Sequence, residues 1–247
     1  MAAVALSAVV AAACEPPLEP IATQASQVLV HAVLDLGTPD QVVLLERTVG
    51  IAGIDGALVT ISTLAGGTVQ AAEGSPSVPT IYRFRMSEVP GGLNPGDTYT
   101  LRVVTRNGDT VTGVTKVPNT ITALPPSVIR SFNRQTDTLR LDWPRVNGAA
   151  SYQVSVYSEV DRERFVYSVF ADTTIMIPGT ARTLENDPVF PRGVRIRVVV
   201  AAVEENYYTY FHASVDPFAG APPSRLTGAL GVFGAVVPVI NRLYDVQ

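Results

Sequence analysis

Short runs in which every second residue is apolar constrain this chain more than any other feature. In Thr98-Tyr99-Thr100-Leu101-Arg102-Val103, the side chains of Tyr99, Leu101 and Val103 share one face while Thr100 and Arg102 share the other. That two-residue period belongs to a strand with one side buried. Asn107-Gly108 follows, a dipeptide suited to a tight turn with positive φ at both central positions, and the run from Thr110 to Val117 returns as the partner strand. Helical periodicity is nearly absent. Turn signals separate the runs at regular intervals, as in a β-sandwich.

The pattern breaks after Val117. Residues 118–126, with Pro125-Pro126 near their end, read as a short stiff linker. Alternation then restarts. Leu139, Leu141 and Trp143 alternate with Arg140 and Asp142, and Tyr152, Val154 and Val156 alternate with Gln153 and Ser155. Val194, Ile196, Val198 and Val200 make a third inward row, with Arg195 and Arg197 outward. The expected architecture is therefore all-β, two β-sandwich domains in tandem over 27–117 and 127–215, with residues 216–247 pairing back onto a sheet. Trp143 is expected to be the largest buried side chain of the second sandwich, with Tyr152 beside it.

The N-terminus carries a different signal. Met1 to Ala13 is apolar and ends in Ala11-Ala12-Ala13 directly before Cys14, the single cysteine of the chain. An apolar stretch, small residues and a cysteine at the junction have the form of a bacterial lipoprotein signal. On this reading residues 1–13 are removed, the Cys14 thiol carries lipid, and the proline-rich residues 14–26 form a tether. The apolar stretch is shorter than the roughly 20 residues a spanning helix needs. No Lys or Arg precedes it, where secretory signals start with positive charge, and a start upstream of Met1 accounts for that. Several lipid chains, at about 0.8 kcal/mol per buried methylene, hold a protein at a membrane without any helix.

Composition narrows the function classes. Among 247 residues the net charge is −4 and only 16% are charged, with both signs interspersed. The clustered basic face of a nucleic-acid binder is missing, so no nucleic-acid partner is expected. The hydrophobic content of 47% is ample for packed cores. With one cysteine no internal disulfide can form, and stability must come from burial. Leu226 to Ile240 is apolar but too short to span, and is interrupted by Gly228, Gly231, Gly234 and Pro238. The three-residue spacing of those glycines suits a strand packed close under other backbone.

Candidate chemistry is sparse. His31 and His212 are far apart, each on a strand-like run, whereas a zinc site needs three or four ligands, so neither metal nor cofactor is expected. No Gly-x-Ser-x-Gly elbow, P-loop or Gly-x-Gly-x-x-Gly cradle occurs. Asp161/Glu163 lie among alternating charges and read as a solvated loop. Glu185/Asp187 sit in a turn composition. The segment Asn206-Tyr207-Tyr208-Thr209-Tyr210-Phe211-His212 stands out. Read as a strand, it places Tyr207 and Phe211 on one face and Tyr208 and Tyr210 on the other. Tyr208 and Tyr210 then either form an exposed recognition surface, since tyrosine gives large contact area at low entropy cost, or cover a junction between domains.

Family resemblances attach to specific residues. Leu139-Arg-Leu-Asp-Trp143-Pro144 followed by Gly148-Ala-Ala-Ser-Tyr152-Gln-Val-Ser-Val resembles the B and C strands of a fibronectin type III domain, and Arg197 to Val203 its F strand, with Ile196 at the usual tyrosine-corner position. Asp55-Gly-Ala-Leu-Val-Thr-Ile61 and Leu93-Asn-Pro-Gly-Asp-Thr-Tyr99-Thr-Leu101 resemble transthyretin-like modules of bacterial surface proteins. With Cys14 at one end and Gly228 to Gly234 at the other, the whole chain resembles a family of envelope lipoproteins labelled domain of unknown function 4249. The resemblance implies a lipid-anchored protein of the outer membrane or cell surface, a partnership with a TonB-dependent transporter or another envelope protein, and no catalytic residues. The function expected is that of an accessory or binding protein. An envelope hydrolase acting on glycans or peptides, and a purely structural spacer, are the alternatives.

Overall fold

The computed structural model describes residues 26–50, 52–74, 80–121, 129–159, 164–215 and 223–247. Cys14 and the whole of the expected signal lie outside them, as do most of the tether and residues 122–126 of the expected linker.

Seven strands among the described residues build the first half. They are β1 (Val28–Asp35), β2 (Asp40–Arg47), β3 (Leu58–Thr63), β4 (Thr68–Glu73), β5 (Thr80–Arg85), β6 (Thr98–Val104) and β7 (Thr110–Lys116). β1, β2 and β5 lie side by side, β3, β6 and β7 form the facing layer, and β4 pairs with both β3 and β5. Alternation in the sequence sets the sides: Val30, Leu45 and Tyr82 meet Val59, Leu101 and Val111 in one core. Tyr99 ties its own turn, its hydroxyl donating to the Gly92 carbonyl and accepting from the Asn94 N–H.

The β6–β7 hairpin forms in the expected place but with a different turn. Only Gly108 has positive φ. Gly108 donates to Thr105 O and Thr105 donates to Asp109 O. This is the three-residue loop that ends in a left-handed glycine, in place of the two-residue turn.

The second half has β8 (Ile129–Phe132), β9 (Thr138–Asp142), β10 (Ser151–Ser158), β11 (Arg164–Ala171), β12 (Thr174–Pro178) and β13 (Arg195–Val203). β9 and β12 form a separate two-stranded sheet. Their Leu139, Leu141 and Ile177 pack on Val154, Val156, Val198 and Val200 of β10 and β13. Trp143 is buried here, edge-on to Tyr152 at 5.4 Å, and the Tyr152 hydroxyl accepts from the Val146 N–H.

A single 17-residue strand, β14 (Leu230–Val246), joins the halves. Its first part runs parallel to β1, Leu29 opposite Leu230 through Asp35 opposite Val236. Along most of its length it runs antiparallel to β13, and its end runs parallel to β8. One sheet therefore continues from β11 through β10, β13, β14, β1 and β2 into the first half. Phe233, Ala235 and Val237 enter the first core, while Val239, Ile240, Tyr244 and Val246 enter the second.

The change from odd to even residues happens at a β-bulge. Val200 faces Ile240 and Ala201 faces Pro238, which leaves Val239 as the extra residue. One extra residue reverses the parity of everything after it. Both cores consequently lie on the same side of the shared sheet, since Ala202 of the second core stands opposite Val237 of the first. Proline is tolerated there because a bulge already lacks a ladder bond.

Candidate functional site

The other side of the shared sheet carries the one described α-helix. Residues Glu205–Val215 form α1, which corrects the expectation of a strand through Tyr207 to Phe211. The place expected for a strand after β13 is taken by β14. Helix formation starts at Glu204, which is buried and caps the end: its carboxylate accepts the N–H groups of Asn206 and Tyr207, both at 2.7 Å, and its carbonyl that of Tyr208. Burial pushes the Glu204 carboxyl above its ordinary range against the pull of those N–H donors.

Gly234 lets the helix settle directly on β14. A Cβ at that position would stand 3.0 Å from Tyr207 Cβ and from Glu204 Oε1. The glycine spacing seen in the sequence has the same physical reason at two more positions, where a Cβ on Gly231 would meet the Val30 carbonyl and one on Gly228 the Thr110 carbonyl.

Helical geometry pairs the aromatic residues at four-residue spacing. Tyr207 and Phe211 are in contact at 4.5 Å between ring centres, and Tyr208 and His212 at 5.0 Å. Tyr208 also stands edge-on to Phe170 of β11 at 5.2 Å. Tyr210 instead reaches β1, its hydroxyl 3.2 Å from His31 Nε2. Tyr208 and Tyr210 are thus half-buried and turned toward opposite halves of the molecule. Asn206 adds a third tie, its amide nitrogen donating to Val114 O of β7 and Phe233 O of β14.

Beside α1 the sheet leaves a groove of about 780 Å³. Its floor follows the strand pairings, with Gln153 opposite Ala201, Ser155 opposite Val199 and Tyr157 opposite Arg197. Val33 and Asp35 of β1 extend it across β14, and Tyr207 and Phe211 form a wall. The Tyr207 hydroxyl donates to Gln153 Oε1 at 2.7 Å. Burial, with Tyr157 and Asp35 nearby, pushes the Tyr207 hydroxyl up to about 12. Arg197 pairs with Glu159 at 2.8 Å. Asp35 accepts the Gly37 N–H at 2.7 Å, and burial raises its carboxyl.

The outward rows Gln153/Ser155 and Arg195/Arg197 were visible in the sequence as polar alternates. Which of them meet Asp35, Tyr157 and Asn241 depends on β14, 82 positions after Ser155 at its Val237, and no local pattern reveals that. The remaining sequence candidates do not converge on this groove. Asp161 and Glu163 lie outside the described residues. Asp187 closes a turn on Thr183, with Asn186 in the left-handed region at φ 67°. His212 stacks on Tyr208, away from His31. Among the described residues no three His, Cys, Asp or Glu side chains are grouped to hold a metal ion, and no helix is long and apolar enough to cross a membrane.

A family model described as Domain of unknown function (DUF4249) matches residues 15–237. No curated protein matches the chain. Among solved structures, a pullulanase from Anoxybacillus sp. LM18-11 is similar with 10% identity over 69% of this chain and 24% of that one, at a TM-score of 0.26. The same enzyme complexed with maltotriose gives 12% identity, the same shares and a TM-score of 0.25. The chain spans about a quarter of the length of these enzymes. Likeness at this level bears on neither fold nor activity.

Proposed function

The chain belongs to the DUF4249 family of domains of unknown function, and on that premise we propose that it is a lipid-anchored binding protein of the cell envelope. Lipid on Cys14 holds it at the outer membrane or cell surface, and it serves as an accessory to a TonB-dependent outer-membrane transporter. The family match begins at residue 15, directly after Cys14, and this supports reading the preceding residues as a signal. The two core clusters support a transthyretin-like module over 27–117 and a fibronectin type III-like module over 127–215.

The observation that carries the binding reading is the groove at the joint. Strands from both halves form its floor, and α1 walls it with two aromatic rings. A concave, mostly apolar site with a few placed polar groups is the usual form of a ligand site, and about 780 Å³ falls within the range of about 300–1,000 Å³ for such sites. Its polar groups are engaged in holding one another, Tyr207 on Gln153, Arg197 on Glu159 and Ser155 on Ser168. That arrangement suits recognition better than proton transfer. Tyr208 and Tyr210 contribute to recognition through the helix they hold in place beside the groove.

Expression with the complete signal, followed by envelope fractionation and cross-linking through a photoreactive residue at Val199, tests the proposal. The expected result is an outer-membrane pool that Cys14→Ser releases, and a cross-linked envelope component, protein or glycan, recovered from that pool. A Cys14→Ser variant that stays with the membrane, or a Val199 cross-linker that captures nothing, overturns it.

A further inference from the structure

We propose that the groove between α1 and the shared sheet takes a neutral oligosaccharide, a ligand class that rests on the binding reading above. The lining presents three kinds of group together. Val33, Val199 and Ala201 give an apolar floor, Tyr207 and Phe211 give aromatic faces, and Gln153 and Asp35 bring amide and carboxyl groups. A sugar ring has the matching composition. Its C–H face lies against apolar and aromatic surface, and each hydroxyl both donates and accepts, as amide and carboxyl partners require.

The hydrogen bonds within the groove leave valences of both signs. Tyr207 donates to Gln153 Oε1, so the Gln153 amide nitrogen is left to donate and the Tyr207 oxygen to accept. Asp35 uses Oδ1 on the Gly37 N–H, and Oδ2 is left to accept. Neighbouring sugar hydroxyls can meet such a set without carrying charge.

The other ligand classes fit less well. The cation in the lining, Arg197, is already paired with Glu159 at 2.8 Å, which disfavours an anionic ligand. The lining carries a single carboxylate, Asp35, whose Oδ1 already accepts the Gly37 N–H, and this is too little charge to hold a cationic ligand. Strand addition by a peptide needs an open edge, but β10, β13, β14 and β1 are each paired on both sides. An acyl chain would strip water from the Gln153 amide and the Asp35 carboxyl without replacing it.

Calorimetric titration of the full chain with cellotriose, maltotriose and triacetylchitotriose tests the assignment. The expected result is saturable binding of at least one, weakened about tenfold or more by Gln153→Met and by Phe211→Ala. Leu64→Ser, at an exposed turn away from the groove, is expected to bind as the parent does. Gln153→Met keeps the side chain's length and serves if Phe211→Ala fails to fold. No saturable binding of any of the three sugars overturns the inference, as does binding that both groove variants leave within about twofold. If no sugar binds while the Val199 cross-linker still captures an envelope protein, the oligosaccharide assignment falls and the binding function stands. If a sugar binds while Cys14→Ser leaves the protein on the membrane, the anchoring proposal falls and this one stands.

Discussion

The Tyr210 hydroxyl lies 3.2 Å from His31 Nε2, while Tyr208, two residues earlier on the same helix, stands edge-on to Phe170. His31 belongs to β1 and Phe170 to β11, so α1 holds strands of both halves of the shared sheet at once. Replacing both tyrosines by serine removes both contacts. Aromatic pairs contribute about 0.5–1.5 kcal/mol each beyond the area they bury, so the double variant should lose about 2–4 kcal/mol in chemical denaturation. An unchanged midpoint would mean that the helix does not brace the sheet.

His31 also gives the brace a pH dependence. Burial lowers its pKa below the ordinary 6.5, with Glu46 opposing the shift. The folded state therefore prefers neutral His31. Its stabilising contribution is full above the unfolded pKa and declines as the pH falls below about 6.5 toward the folded value. The melting temperature should drop between pH 7.5 and 5.5, and His31→Phe should flatten that drop. An equally steep drop in His31→Phe would remove His31 from the account.

Glu204 caps α1 with two charge-assisted hydrogen bonds from a buried position. Glu204→Ala leaves the Asn206 and Tyr207 N–H groups without that acceptor and should cost about 1–3 kcal/mol. Amide exchange should quicken in the first turn of α1 before it changes in β6 or β13. Uniform loss of protection across all three would contradict a local capping role.

Gly231, the second residue of β14, has φ 108°, with the space for a Cβ filled by the Val30 carbonyl. Gly231→Ala should prevent the β1–β14 pairing and yield insoluble protein. Gly50→Ala serves as the comparison, having positive φ but nothing within 4 Å of its Cβ position. It should fold with a loss of about 1–2 kcal/mol. Soluble, fully stable Gly231→Ala protein would show that the close approach of Gly231 to Val30 is dispensable.

Local pattern carried most of the strands and little of their assembly. Tyr99, Leu101 and Val103 alternate because one side of β6 is buried, and Trp143 with Tyr152 could be assigned to a core for the same reason. Residues 205–215 misled because tyrosine, phenylalanine and threonine favour strands, and alternation fitted them as well as helical spacing did. What decided the outcome was tertiary: the Glu204 cap, and the space over Gly234. The pairs Tyr207/Phe211 and Tyr208/His212, four apart, after an acidic start at Glu204-Glu205, were the local sign of a helix. The groove was illegible because Gln153, Arg197 and Asp35 meet only through β14. Its bulge at Val239 depends on pairing between distant segments.

The central claim is that β14 and α1 join two cores into one cooperative body, with the groove at their joint. Trp143 reports the second core by fluorescence, while Val103 is fully buried in the first. Val103→Ala should lower stability by about 1–3 kcal/mol. If the cores are joined, the Trp143 unfolding midpoint moves by the full amount and coincides with the midpoint from circular dichroism. A Trp143 midpoint that stays in place, with a two-step circular dichroism transition, would contradict the claim.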